Sequence, residues 1–304
     1  MNKAVDIIIP TYRPDEKVVF LVKKLLKQTY QADRIHLINT ETGVFPSELE
    51  VLDSRVKITH IRKEEFDHGG TRHMGAMQSK ADFVVFMTQD ALPANDRMLE
   101  ELMRPFEDPQ VAASYGRQLP ASDCNLIERY TREFNYPAES RVKSLKDLET
   151  LGIKTYFCSD VCAAYRKTVY DSLGGFEEKT IFNEDMIMAA RMIHSGARVA
   201  YAAEAKVIHS HNYSCMQQLK RNFDLAVSQA EHPDIFENVR SESEGIRLVK
   251  DTAAYLVKKK KPWMVISLVV KSGFKYIGYR LGKNYRKLPE WLIRKCTMNP
   301  GYWE

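Results

Sequence analysis

The chain has 304 residues, enough for one large domain with an appendage or for two ordinary ones. Hydrophobic residues make up 44% and charged residues 28%, the composition of an ordered globular protein and not of a disordered one. The net charge of +5 gives no bulk signal for nucleic-acid binding, and five cysteines at irregular spacing do not resemble a disulfide framework and point to a reducing cytoplasm.

The N-terminal MNKAVDIIIP goes directly into a strand, which reads as no secretory signal peptide, and no apolar run approaches the roughly 18 to 20 residues of a transmembrane helix. Residence in the cytosol is therefore expected. Val5 to Pro10 reads as a strand that stops at the proline. Thr11 to Arg13 then form a polar loop before a helix with Val18, Val19, Leu21, Val22, Leu25 and Leu26 at helical spacing. Arg34 to Asn39 and Val56 to Ile61 are strands, with a short helix from Ser47 between them. Phe66 to Gly75, FDHGGTRHMG, reads as a glycine-bearing polar loop that enters a helix through Met77.

Phe83 to Met87, FVVFM, is too short for a typical helix and too uniformly apolar for a half-exposed strand, so it is expected at the centre of a parallel sheet. It delivers Thr88, Gln89 and Asp90 at its carboxyl end, the edge where ligands bind in open α/β sheets. The alternation of strand and helix up to this point predicts an α/β fold, a mostly parallel, doubly wound central sheet flanked by helices. Further on, helices are expected over Asp96 to Phe106 and Leu126 to Phe134, and a strand near Val111 to Tyr115. Thr155 to Tyr165 reads as two strands around a polar break. Asn183 to Ser195 is an amphipathic helix ended by Gly196, and two strands follow, Arg198 to Ala202 and Lys206 to His211, then a polar helix from Ser214. Residues 1–240 are assigned to a catalytic domain and 241–304 to a basic, aromatic-rich helical extension.

Four separated features carry chemistry only when taken together: Asp90 at a strand end, Glu184 and Asp185 at a helix start, His209 and His211 at another strand end, and Arg72 among glycines. Singly, each has an ordinary structural explanation, such as a cap, a turn or a surface charge. Together they match what transfer from a nucleotide-diphosphate donor requires. A divalent metal on a carboxylate and imidazole can neutralise the diphosphate. An arginine can pair with a phosphate oxygen, and a carboxylate can take an acceptor proton. Cys158 and Cys162 with the downstream histidines lack zinc-ribbon spacing, and the GGTR stretch lacks the GK[ST] ending of a P-loop.

The order PTYRP, FDHGGTRHMGA, FMTQDALP, GGFEE, NEDMIMAARMIHSGARVAY and HSHNYS resembles the inverting glycosyltransferase family 2 over roughly residues 4–225, and within it the rhamnosyltransferases of bacterial polysaccharide assembly. The resemblance implies the GT-A fold and a donor site. Asp90, in TQD at the place of the family's aspartate-x-aspartate signature, would hold Mg2+ or Mn2+, with His211 or His209 completing the site and Thr88 standing where a second carboxylate is usual. Asp185 would be the general base, with Glu184 as the less favoured candidate. Pro10, Thr11, Tyr12, Arg13 and Glu41 would hold the nucleotide, and Asp67, Gly70, Arg72, Thr88 and Gln89 would line the nucleotide and diphosphate pocket. Gln218, Arg221 and Asn222 look like a relic of the Q-x-x-R-W motif, which argues against a processive synthase. The implied activity is transfer of L-rhamnose from dTDP-L-rhamnose to a saccharide or lipid-linked saccharide. The alternatives are the same fold with a UDP-hexose, or a catalytically silent carbohydrate-binding or scaffold protein.

From Lys258 to Lys295 basic residues interleave with Trp263, Phe274, Tyr276, Tyr279, Tyr285 and Trp291. Two compatible readings are a helical hairpin packed on the catalytic domain or on another subunit of a homo-oligomer, and attachment to an anionic membrane surface. The second places the protein at the inner face of the cell membrane.

Overall fold

The computed structural model describes residues 3–237, 239 and 242–303. The chain packs as two compact units, the first made of residues 1–119, 136–179 and 184–209, the second of 120–135, 180–183 and 210–304. Packing thus draws the division near residue 210, whereas the boundary expected at 240/241 falls outside the described residues.

In chain order the elements are β1 (Val5–Tyr12), α1 (Glu16–Leu25), β2 (Arg34–Thr40), α2 (Glu48–Val51), β3 (Val56–Ile61), α3 (His68–Met77), β4 (Phe83–Met87), β5 (Leu92–Pro93), α4 (Met98–Met103), β6 (Val111–Leu119) and α5 (Leu126–Asn135). They continue with β7 (Arg141–Lys143), α6 (Leu148–Leu151), β8 (Cys162–Arg166), α7 (Lys167–Ser172), α8 (Glu184–His194), β9 (Arg198–Ile208), α9 (Cys215–Glu231), α10 (Pro233–Phe236), α11 (Glu242–Lys258), α12 (Met264–Lys283) and α13 (Glu290–Cys296).

The first unit holds a nine-stranded sheet in the order β3-β2-β1-β4-β8-β6-β9-β5, with β7 on β9. β3, β2, β1 and β4 run parallel, β8 runs against both of its neighbours, and β6 and β9 are parallel to each other. All five residues of β4 are buried, as a strand covered on both faces must be. Phe86 is packed by Tyr165, Tyr170 and Phe176 at ring distances of 5.5, 5.9 and 4.9 Å. On the other face α1 lays down Val18, Val19, Leu21, Val22 and Leu25. Its start is fixed by Asp15, which accepts from the Lys17 amide at 2.9 Å.

Several local expectations are corrected. β1 continues through Pro10 to Tyr12, because β4 pairs only with Val5 to Ile8; beyond that β1 is hydrogen-bonded on the β2 side alone, where a missing N–H is tolerated. The FDHGG stretch is no loop. α3 begins at His68, Asp67 caps it by accepting from the Gly70 amide at 2.6 Å, and a Cβ on Gly75 would meet Ile8 and Ile38 side chains at 2.7 and 2.8 Å. That glycine lets the helix lie close on the sheet. No strand forms over Thr155 to Cys158, where the chain leaves a 3-10 turn (Gly152–Thr155). The two strands foreseen after Arg198 are one, β9, whose register on β6 jumps from Ala202 to Lys206 at Gly116/Arg117. A Cβ on Gly116 would lie 2.6 Å from the Ala205 carbonyl oxygen, so the bulge needs a glycine opposite it.

The second unit is helical. Ser214 and Gln217 close a capping box at the start of α9, with bonds of 3.2 and 2.9 Å. α12 packs along α9, and Gly278 and Gly282, one turn apart on α12, are buried where a Cβ would run into the Leu219 and Phe223 carbonyl oxygens. Asp224 ties in the C-terminal turn by accepting from Thr297 Oγ1 at 2.6 Å and the Met298 amide at 2.8 Å. Among the described residues no helix is long and apolar enough to cross a membrane.

Gly278→Ala is expected to destabilise the protein by about 1–3 kcal/mol through overpacking against backbone. Gly273→Ala, whose Cβ meets nothing within 4 Å, should be neutral or stabilising by about 0.5–1 kcal/mol. Chemical denaturation midpoints of the two variants against the parent would check the pair.

Candidate active site

The sheet reverses its strand order between β1 and β4, and the residues leaving those two strands are therefore set across a crevice at the carboxyl edge. The loops are joined by one side chain: the Gln89 carbonyl oxygen accepts from the Tyr12 amide at 2.9 Å and its NH2 donates to the Tyr12 carbonyl at 3.1 Å. Arg13, beside Tyr12, has a left-handed backbone (φ 48°) and lies over the Tyr12 ring at 5.4 Å. Thr11 is buried and donates to Asn39 Oδ1 at 3.1 Å, while the Thr40, Thr42 and Thr88 hydroxyl oxygens are buried with no hydrogen-bond partner. Pro10 is half-buried, and Glu41 sits exposed at the end of β2. Three buried hydroxyls near the carboxyl ends of β2 and β4 therefore find no hydrogen-bond partner among the described residues.

Asp90, exposed just beyond β4, brings Oδ1 to 3.5 Å from His209 Nε2. His209 is buried at the end of β9, and its orientation is imposed from behind. Gln118 uses its NH2 to donate to Tyr136 Oη at 2.6 Å and Ser159 Oγ at 3.0 Å. Its carbonyl oxygen is left to accept from His209 Nδ1 at 2.9 Å. With the proton on Nδ1, the Nε2 lone pair is aimed at the Asp90 carboxylate, an arrangement that calls for a cation or a proton between them. One carboxylate oxygen and one imidazole nitrogen fit a divalent transition metal or magnesium as partial ligands. His211 follows two residues later, in the second unit.

The first unit also holds an ionic cluster in which Arg72, Asp160 and Glu184 are buried. α3 presents Arg72, whose Nη1 donates to the His68 carbonyl at 2.8 Å and reaches Glu184 Oε1 at 3.2 Å, while Nε stands 3.7 Å from Asp160 Oδ2. Asp160 precedes β8, and Tyr165 Oη donates to its Oδ1 at 2.8 Å. Asp185, in the first turn of α8, accepts from the Asp160 amide at 3.2 Å and the Met186 amide at 2.7 Å. One guanidinium cannot balance three carboxylates in a site with little water. Burial above all, then the charge of Asp185, drives Asp160 well above the ordinary carboxylate range, so it holds its proton. Burial and the neighbouring Glu184 push Asp185 up to about 7. A carboxylate that titrates near neutrality is suited to proton abstraction.

The structure brings together Glu184, Asp185 and Arg72, and separately Asp90 and His209. Arg72 has intramolecular partners where a phosphate was expected, and Asp67 and Gly70 form the α3 cap. Burial raises Asp67. Asp160 and Gln118 were missed; the signal for Asp160 is a lone acid in the polar break of CSDVC, and for Gln118 an amide near a strand end. In the second unit, Arg221 lies over Phe182 at 4.6 Å and Asn222 donates to the Gln218 carbonyl at 2.7 Å.

A sheet edge at a reversal of strand order, carrying an Asp–His pair and a near-neutral carboxylate, fits a glycosyltransferase of GT-A-like fold. The family model of glycosyl transferase family 2 matches residues 6–174, and the chain belongs to that family. It is 43% identical over 300 residues to the O-antigen chain rhamnosyltransferase WbaN of Salmonella anatum, covering 92% of this chain and 95% of that one. It is 39% identical to the O-antigen chain rhamnosyltransferase RfbN of Salmonella typhimurium, covering 98% and 96%. Among solved structures, the mannosyltransferase PcManGT of Pyrobaculum calidifontis, in complex with GDP-Man and Mn2+, superposes with a TM-score of 0.67 at 14% identity over 95% of this chain and 89% of that one. TarS of S. aureus, in complex with UDP-GlcNAc, gives 0.54 at 13% identity over 93% and 92%.

With Asp185 as the proposed base, ionised when it accepts a proton, activity is expected to fall as pH drops through about 7. Glu184→Gln removes the charge that helps hold Asp185 up, so its acid limb should move to lower pH. Asp185→Asn should lower kcat by on the order of 10²–10⁴. A pH–rate profile of the three proteins is the measurement; an unmoved limb in Glu184→Gln would refute the coupling.

Proposed function

We propose that the chain transfers L-rhamnose from dTDP-L-rhamnose to a hydroxyl of a growing cell-surface polysaccharide or its lipid-linked precursor, inverting the anomeric carbon. The observation that carries the reading is the 39–43% identity to two O-antigen rhamnosyltransferases over more than nine-tenths of every chain compared. The donor itself rests on that likeness alone.

In the mechanism, Asp185 takes the acceptor hydroxyl's proton as the oxygen attacks the anomeric carbon, and the bond from that carbon to the diphosphate oxygen breaks on the opposite face. Arg72 and protonated Asp160 hold the charge of Asp185 where this transfer is feasible. Pro10, Thr11, Tyr12, Arg13 and Glu41 hold the nucleotide, and Asp67, Gly70, Thr88 and Gln89 line the nucleotide and diphosphate pocket. Asp90 and His209, with His211 two residues on, would hold Mg2+ or Mn2+, which when bound supplies positive charge against the diphosphate. With Thr88 in place of a second acid, Asp90 is the sole carboxylate assigned to that ion.

The protein is further proposed to work at the inner surface of the cell membrane. Trp263, Ile266, Val269 and Val270 are 65%, 73%, 59% and 46% exposed, next to the exposed run Lys258 to Lys261. Apolar residues at helical spacing beside a cationic cluster are the makings of an interfacial helix.

A panel of nucleotide sugars, with and without manganese, tests the reaction: dTDP-L-rhamnose should be consumed and UDP-hexoses should not, and Asp90→Ala should raise the manganese concentration needed. Turnover of a UDP-hexose alone would overturn the donor assignment, and a chain silent with every donor would favour a binding protein. Sedimentation with anionic liposomes should be lost in high salt and in Trp263→Ala/Ile266→Ser; indifference to both would exclude surface attachment.

A further inference from the structure

The second unit contains a cavity of about 810 Å³, walled by α5, α9, α11 and α12. At about 30 Å³ for each water-sized group, it has room for on the order of 25 of them, well within the size of a small-molecule site. Its wall is largely apolar, from Ile127, Leu225, Ile246, Leu248, Val249 and Leu268.

The charges set into that wall are not balanced. Glu128 is already spent on Arg132, at 2.6 Å. Lys271 and Lys275, one turn apart on α12, also line the cavity. Lys275 forms no ion pair or hydrogen bond among the described residues, although its surroundings desolvate it enough to lower its pKa. Glu128 opposes that shift, whereas Arg221, Lys271 and Arg132 add to it. A cation held among other cations against an apolar wall costs stability in the empty protein, and an anion would offset the cost.

We propose that this cavity binds a chain amphiphile with a phosphate headgroup, the chain lying against Val249 and Leu268 and the phosphate on Lys271 and Lys275. Charge complementarity selects the headgroup, and the length of apolar wall selects a chain over a free anion. The test uses no donor, so its outcome is separable from that of the donor assignment, and neither Lys271 nor Lys275 belongs to the Asp185 cluster or to the proposed metal site.

The test is calorimetric titration of the full chain, without donor, with hexyl, octyl and decyl phosphate below their micelle concentrations. Octanol and inorganic phosphate serve as controls. Binding should be one to one and tighten about fourfold per added methylene, the ratio that corresponds to roughly 0.8 kcal/mol for each. Lys271→Gln/Lys275→Gln should weaken decyl phosphate at least tenfold, and Val249→Trp, which fills the cavity, should abolish binding while Lys275→Arg retains it. Each variant's melting curve reports whether it is folded. A flat chain-length series, equal affinity for octanol, tight binding of inorganic phosphate alone, or many molecules bound per chain would each overturn the proposal.

Discussion

A single guanidinium set among three carboxylates, Asp160 and Glu184 buried and Asp185 partly so, is the constraint on which the first unit turns. Arg72 reaches Glu184 and Asp160, and Asp160 in turn donates its amide to Asp185. The cluster therefore ties α3, the approach to β8 and the start of α8 into one arrangement. Burying an ion pair is not in itself stabilising, since desolvation offsets most of the attraction, but removing one partner leaves an uncompensated charge. The imbalance of one cation against three acids is relieved by protonation instead, and that relief leaves Asp185 titrating near neutrality. The charge shortage that would be a fault in a core leaves a carboxylate poised near neutral pH, the property the proposed base needs.

The Asp90–His209 pair follows the same logic with a different device. Nothing about a histidine at the end of a strand says which nitrogen will face a ligand. Gln118 decides it, because its NH2 is engaged by Tyr136 and Ser159 and only its oxygen remains for Nδ1. The order of preference is set by hydrogen bonds two shells from any metal, and the sheet supplies them through β6 and β9, neighbouring parallel strands.

Much of this was legible in the sequence. β3 and β4 lie where their apolar runs placed them, and the helix carrying Glu184 and Asp185 begins at the acidic pair. Motif order brought out the family, and the family model bears it out. What escaped was non-local. Pro10 is a strand breaker by local rule, yet it lies in β1 where only one side of the strand is paired. The glycines of FDHGG suggest a loop, yet Asp67 caps a helix there and Gly75 serves its close approach to β1 and β2. The bulge opposite Gly116 joined what looked like two strands, since three polar or small residues can be skipped in register without ending the ladder. Asp160 was invisible as a site residue because its importance comes from neighbours 88 residues upstream and 25 downstream, at Arg72 and Asp185.

The Gln89 amide has a mechanical meaning beyond its two hydrogen bonds. Past Ile8, β1 and β4 are no longer laced by main-chain bonds, and the gap at their carboxyl ends is bridged by this side chain in their place. A ladder opens only by unzipping, whereas a side-chain latch releases by rotamer change, which for accessible groups takes picoseconds to nanoseconds. The mouth of the crevice can therefore widen without disturbing the strands that anchor it, a difference that hydrogen exchange at the Tyr12 amide, compared with amides inside β1, would register directly.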